Sequence, residues 1–274
     1  MTDHYVPGPN AHIDTTDFER EIGELAGDST GIDLMKLELA PTIYEAMERR
    51  IAIDPDEPSP TAILCRYMTV EKFLWFLHSQ SVYFGGVSGF DDSRDCTVPE
   101  DYENAVQQFY LARECVPADW DVQVDRARNR WLISCWTEVS SSIDDYLLWH
   151  RYAGGQNGVA ITATYEQLKR TLLTGLGEQR GLLSKMECLK SGYVSYDEGL
   201  RLLPFNKRGM FKNEKEVRFV GRTDFKSSAN VPVHDLFPEM GLRLSPDAAS
   251  FHHESVIELW KRFGGSENIV VSEG

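Results

Sequence analysis

The run Phe211-Lys212-Asn213-Glu214-Lys215-Glu216-Val217-Arg218-Phe219 constrains the fold of this chain more than any other stretch. Val217, Phe219 and Val220 supply β-favouring bulk, and Gly221 reads as the stop that follows. Side chains alternate along a strand, so Glu214, Glu216 and Arg218 share one face and Lys215, Val217 and Phe219 the other. A strand that buries Val217 and Phe219 must do something with two carboxylates and a guanidinium behind them. Two readings are open: an ion-pair ladder to neighbouring strands, or part of a functional site.

Elsewhere, short apolar runs interleave irregularly with amphipathic stretches. Residues 62–67, 81–86, 131–136, 159–162, 191–196 and 269–272 read as strands, with shorter extended pieces at 231–236 and 241–244. Helical patterns cover 71–77 behind a Thr69 cap, 146–153 before Gly154-Gly155, 165–173, and a last helix from Ser245-Pro246-Asp247 to about 263. Further helices are expected at 17–26, 41–53, 102–115 and 122–130. This mixture predicts an α+β fold, a single mixed-sheet domain with flanking helices over 61–274. Residues 1–60 read as an N-terminal extension with two short helices. It ends in the acidic, proline-rich linker Asp54-Pro55-Asp56-Glu57-Pro58-Ser59-Pro60, which resists both helix and strand.

The formal charge of −15 over 274 residues disfavours nonspecific binding to nucleic acid or anionic membrane. Two basic clusters, Lys207-Arg208 with Lys212 and Arg126-Arg128-Arg130, are sparse and read as solvated faces. The five cysteines form no CxxC or Cys/His pair with zinc spacing, so no metal is expected. Cys65 and Cys135 sit in apolar strands as buried thiols, which suits a reducing cytoplasm. The N-terminus is unlike a signal peptide, and no apolar run approaches the roughly 18 residues of a membrane span. A cytoplasmic protein with no membrane partner is expected.

Nucleotide fingerprints of the GxGxxG and GxxxxGK[ST] kinds are missing, as are HExxH and GxSxG. His252-His253 read as surface residues, and His150 as a satisfied or exposed one. Arg66-Tyr67, closing an apolar strand, is more informative. A guanidinium is rarely buried without a carboxylate, phosphate or carbonyl partner. The bland expectation is a salt bridge from Arg66 to Glu214 or Glu216.

The order of these pieces resembles the bacterial domain-of-unknown-function 2971 family over about residues 62–272. The matching residues are Leu64-Cys65-Arg66-Tyr67, Tyr83-Phe84, Phe90-Asp91-Asp92, Cys135-Trp136-Thr137-Glu138, Leu148-Trp149-His150-Arg151-Tyr152-Ala153, Asn157-Gly158-Val159-Ala160-Ile161 and Glu214-Lys215-Glu216-Val217-Arg218. Phe90-Asp91-Asp92 stands where that family more often has Phe-Asn-Asp-Pro. The name carries no function, and a place in bacterial defence or toxin systems follows from analogy with relatives alone.

The chain also resembles the ADP-ribosyltransferase superfamily. That resemblance implies NAD as substrate, with Arg66 on a first strand holding the pyrophosphate beside Tyr67. Tyr83, in Tyr83-Phe84-Gly85-Gly86 with Ser88, and Phe90 would lie against the nicotinamide. Glu216 would stabilise the oxocarbenium-like transition state, and Glu214 would orient the acceptor or act as base. Trp149 and Tyr152, at i and i+3 of one helix, either line the cleft or pack the core. The partners implied are NAD or a related nucleotide and a macromolecular acceptor. Two other classes stay open. One is a divalent-metal phosphodiesterase or nuclease using Asp91, Asp92, Asp95, Glu214 and Glu216. The other is a non-catalytic sensor or interaction module in which the charged strand is structural.

Overall fold

Apolar alternation decides where the strands lie in the computed structural model, which describes residues 55–90, 95–96, 128–138, 142–155, 157–178, 189–196, 203–207, 214–222 and 227–272. Along the chain come β1 (Ile63–Met68), α1 (Val70–Ser79), β2 (Ser81–Gly86), β3 (Trp131–Glu138), α2 (Ser142–Tyr152), β4 (Val159–Thr164) and α3 (Tyr165–Glu178). They are followed by β5 (Leu189–Tyr193), β6 (Glu216–Arg222), β7 (Ser228–Pro232), β8 (Gly241–Leu244), α4 (Ser250–Arg262) and β9 (Ile269–Val271). The class is α+β, as expected, with one mixed sheet. The expected helices at 17–26, 41–53 and 102–115, and 122–127 of the fourth, lie outside the described residues.

The sheet runs β5-β6-β3-β1-β4-β8-β9, and β2 and β7 branch from it at β3. Every pairing is antiparallel except β8 with β9. The branch is the feature that matters for function. One edge of β3 is fully paired with β6, from Trp131↔Arg222 to Thr137↔Glu216. Its other edge is shared. β1 takes its C-terminal end (Leu64↔Glu138, Cys65↔Thr137), and β2 takes its N-terminal end (Gly85↔Ile133, Gly86↔Leu132). Between these contacts β1 and β2 diverge and the sheet opens.

Alternation sorts the side chains. Leu64, Leu132, Trp136, Val217 and Phe219 bury one face against Phe73 and Phe76 of α1, Leu168 and Leu172 of α3, and Trp260 of α4. Burying each large apolar side chain contributes on the order of 1.5–3 kcal/mol. On the other face, Cys65, Tyr67 and Ala160 pack beneath Leu148 and Trp149 of α2 and Ala153 just after it. Ile133 and Val220 pack there with Phe205 and Cys96.

Several boundaries differ from the sequence expectation. β6 starts at Glu216 and runs through Gly221, which pairs with both Leu132 and Leu189 instead of ending the strand. A central strand with partners on both sides tolerates a glycine that an isolated strand would not. Lys215 takes the left-handed region at φ 43°, so Glu214 stands just outside the strand and not in its alternation. The last helix begins at Ser250, five residues beyond the expected Ser245. Thr69 does sit at the N-cap of α1, but its side chain makes no capping bond. Among the described residues, no helix is long and apolar enough to cross a membrane.

The acidic proline-rich stretch, over 55–60, is strapped to the sheet edge. Tyr193 N donates to Asp56 O (2.8 Å), Glu166 N to Pro60 O (3.1 Å), and Lys169 Nζ reaches Glu57 Oε2 at 2.6 Å. The strap crosses β5 at Gly192, where an added Cβ would come within 2.7 Å of Pro55 Cβ and 2.8 Å of Asp56 O. Gly192→Ala is therefore expected to lower stability by about 1–3 kcal/mol through overpacking. The check is a reduced urea midpoint at unchanged slope. An unchanged midpoint would show that the strap is not packed on β5.

Candidate functional site

Charge burial organises the site. Arg218, on the β6 face opposite Phe219, is completely buried. A guanidinium has five N–H donors, and here each finds an acceptor. Nε donates to Glu216 Oε1 (2.6 Å), and Nη1 donates to Pro204 O (2.7 Å) and Cys96 Sγ (3.0 Å). Nη2 donates to both carboxylate oxygens of the buried Asp95, each at 2.9 Å.

The chain of charges continues outward. Lys207 Nζ sits between two carboxylates, 2.6 Å from Glu216 Oε2 and 2.7 Å from Glu214 Oε2. Glu214 Oε1 accepts from Tyr152 OH (2.9 Å) and pairs with Arg151 Nη1 (3.1 Å). Burial alone would raise the Glu216 carboxyl, but the charges of Arg218 and Lys207 outweigh it and hold the group at about 2. Burial pushes the Tyr152 hydroxyl and the Cys96 and Cys135 thiols up, so all three stay protonated at neutral pH.

Arg66 contrasts with Arg218. It projects where β1 leaves β3 and bridges the opening in the sheet. Nη1 donates to Ser134 Oγ of β3 (2.8 Å) and Nη2 to Tyr83 O of β2 (3.0 Å). Its guanidinium carbon lies 5.9 Å from the Trp136 ring centroid, and Trp136 Nε1 donates to the same Ser134 Oγ (3.1 Å). The expected salt bridge from Arg66 to Glu214 or Glu216 is not made. No carboxylate among the described residues pairs with Arg66: the register puts it on the Leu64 and Trp136 face of the sheet, whereas Glu216 and Arg218 share the face of Cys65. Burial lowers the Arg66 pKa, the direction expected of a partly desolvated cation without a counter-ion.

Between the diverging strands opens a cleft of about 920 Å³. Arg66, Tyr67, Tyr83, Ser88, Phe90, Tyr152, Glu214 and Glu216 all line it, so the geometry gathers these sequence candidates in one place. Trp149 is not among the lining residues. It is buried against Tyr67, edge to face at 4.9 Å, and packs α2 onto the sheet. Phe90 lies 5.5 Å from the Arg218 guanidinium carbon. Asp91 and Asp92 lie outside the described residues.

The sequence reading missed two members of the site. Lys207 reads as part of a solvated basic face, yet its side chain is only 7% exposed between two carboxylates. Asp95 reads only as one carboxylate of a possible metal cluster, so its real role was missed: it is the bidentate partner of Arg218. Neither carries a periodic or motif signal: Asp95 reaches Arg218 across 123 residues, and Lys207 meets its glutamates at separations of 7 and 9, a spacing that belongs to no regular element. Arg128 is likewise no solvated arginine, since Nη2 donates to Asp95 O at 2.9 Å. His252 and His253, expected on the surface, are partly buried, and His253 Nε2 contacts Ser245 O at 2.9 Å.

Two expectations follow. Asp95→Ala strands a buried guanidinium and should cost about 3–5 kcal/mol. A urea midpoint close to wild type would contradict the pairing. Glu216 titrates at about 2 in place of the ordinary 4.5, so its contribution to stability is present above pH 4.5 and lost as pH falls through about 2. In Glu216→Gln the fall of stability across that window should flatten, as read by denaturation at stepped pH.

No family model matches the sequence, so the resemblance to the domain-of-unknown-function 2971 family remains one of motif order. No curated protein matches it either. Two solved structures of DarT from Thermus sp. 2.9 are distantly similar. The one in complex with ADP-ribosylated ssDNA has a TM-score of 0.34 at 10% identity, covering 81% of this chain and 98% of that one. The one in complex with carba-NAD+ has a TM-score of 0.32 at 10% identity, covering 79% and 97%. These likenesses are too distant to decide function, which rests on the chemistry of the cleft.

Proposed function

We propose that this chain is an NAD-consuming enzyme of the ADP-ribosyltransferase kind, with the reaction carried out in the cleft between β1 and β2. The observation that carries the reading is the polarity of that cleft. One wall presents Arg66, a guanidinium with no carboxylate partner among the described residues. The other presents Glu216, a buried carboxylate kept ionised. The volume lies within the usual ligand-pocket range of about 300–1,000 Å³.

In this reading Arg66, already oriented by Ser134 and Tyr83 O, takes the pyrophosphate with its remaining N–H donors. Tyr67 and Ser88 border the same ligand, and Phe90 flanks the nicotinamide. The bond between nicotinamide nitrogen and ribose C1′ breaks, and its electron pair leaves with nicotinamide. Positive charge then develops on the ribose ring, and Glu216 stabilises it in a partly desolvated site. The acceptor oxygen or nitrogen attacks C1′ and loses its proton. Glu214, held by Tyr152, Arg151 and Lys207, stands beside that step to orient the acceptor.

The metal reading fits less well. Asp95, Glu214 and Glu216 are each bonded to a protein cation, and no described cluster of His, Cys, Asp or Glu has the arrangement of a metal site. The ion pairs of Glu216 would serve a non-catalytic module equally well, and its place in the lining of an open cleft is what favours an enzyme.

The test is nicotinamide release from NAD by the purified full chain. Wild type should release it, and Glu216→Gln should lose about two to three orders of magnitude in turnover. Equal release by the variant, or no release together with no NAD-induced thermal shift in the wild type, would overturn the reading.

A further inference from the structure

One wall of the cleft is used by none of the steps above. The buried side of α1 is Phe73, Phe76 and Leu77. Lys72 and Trp75, at i and i+3, share a different face and line the cleft. Trp75 is 41% exposed and faces Tyr83, 45% exposed, across the mouth, with ring centroids 6.5 Å apart and planes at 89°. Tyr83 is itself fixed, since its ring lies over Gly85, where an added Cβ would stand 3.1 Å away. An edge-to-face pair leaves a broad aromatic face for a further ring. Two large aromatics exposed in a concave surface point to a planar ligand, because burial in the core would otherwise be favoured.

Charge says which ring. The glutamates gather at the Glu216 end and suit the cationic nicotinamide. Lys72 and Arg66 supply positive charge at the α1 end. Glu71 on the same wall is engaged by the Thr69 hydroxyl and by its own backbone N–H, which together lower its carboxyl. An aromatic platform beside two cations matches a neutral base followed by phosphate.

We infer that Lys72 and Trp75 of α1, with Tyr83 opposite, form the subsite for the purine-nucleotide half of the dinucleotide. The indole stacks on the base, and Lys72 shares the adjacent phosphate with Arg66. The inference rests on the NAD reading of the cleft and deepens it. Specificity for a dinucleotide over a mononucleotide would then reside on α1, in a residue that takes no part in bond cleavage.

The test is calorimetric titration of the full chain with ADP and, separately, with nicotinamide mononucleotide. Trp75→Ala should weaken ADP by roughly five- to a hundredfold, the range of base–aromatic stacking, and leave nicotinamide mononucleotide unchanged. Trp75→Phe should retain most of the ADP affinity, and Lys72→Gln should weaken ADP more than adenosine. ADP binding insensitive to Trp75→Ala, or equal weakening of both ligands, overturns the subsite. No ADP binding by wild type overturns it too. Trp75-dependent ADP binding without nicotinamide release from NAD supports the subsite and instead overturns the proposed reaction.

Discussion

The burial of Arg218 is the constraint on which the rest of the site depends. A completely buried guanidinium is strongly unfavourable unless every donor is answered. Here the answers come from four residues at three places in the chain: Asp95 with Cys96, Pro204, and Glu216. One side chain of a central strand therefore fixes two connecting segments against the sheet. It also dictates the state of Glu216, because a carboxylate 2.6 Å from that guanidinium is ionised wherever the fold exists. Lys207 extends the same logic outward and couples Glu216 to Glu214.

The two arginines of the cleft show how one residue type is put to opposite uses. Arg218 is saturated and holds the fold together. Arg66 is bonded just enough to be oriented, by a serine hydroxyl and a carbonyl, and keeps donors in reserve. The sheet makes that difference possible. Where β3 is paired along its whole length with β6, there is no room for a ligand. Where its other edge is divided between β1 and β2, the divergence leaves a gap that Arg66 spans. The opening thus follows from strand pairing and from no single loop.

Charge is distributed along the cleft in a way the net charge of −15 conceals. Carboxylates and their protein counter-ions collect at one end, while Arg66 and Lys72 stand toward the other. Such separation costs stability, since like charges are brought together and partly desolvated. It is sustained by the apolar face beneath, where Trp136, Val217, Phe219 and Trp260 are buried.

The sequence alone determined the class of fold, most strands, and several of the residues that line the cleft. Arg66, Tyr152, Glu214 and Glu216 were legible because each sits in or beside a strand or helix whose apolar pattern is local, whereas Tyr83 and Phe90 were singled out by the superfamily resemblance. Period-2 alternation also placed Glu216 and Arg218 together opposite Val217 and Phe219. Tertiary structure decided the rest. That Arg66 pairs with no described glutamate follows from the strand register, which sets Glu216 on the face of Cys65 and Arg66 on the face of Leu64. That Asp95 is buried follows from a contact that closes a long loop, and that Lys207 is buried follows from its pairing with Glu214 and Glu216 at a spacing no regular element gives. The branching of the sheet at β3 is likewise a matter of which edges pair. Alternation specifies which face of a strand is buried, but pairing partners are chosen only when the whole sheet assembles.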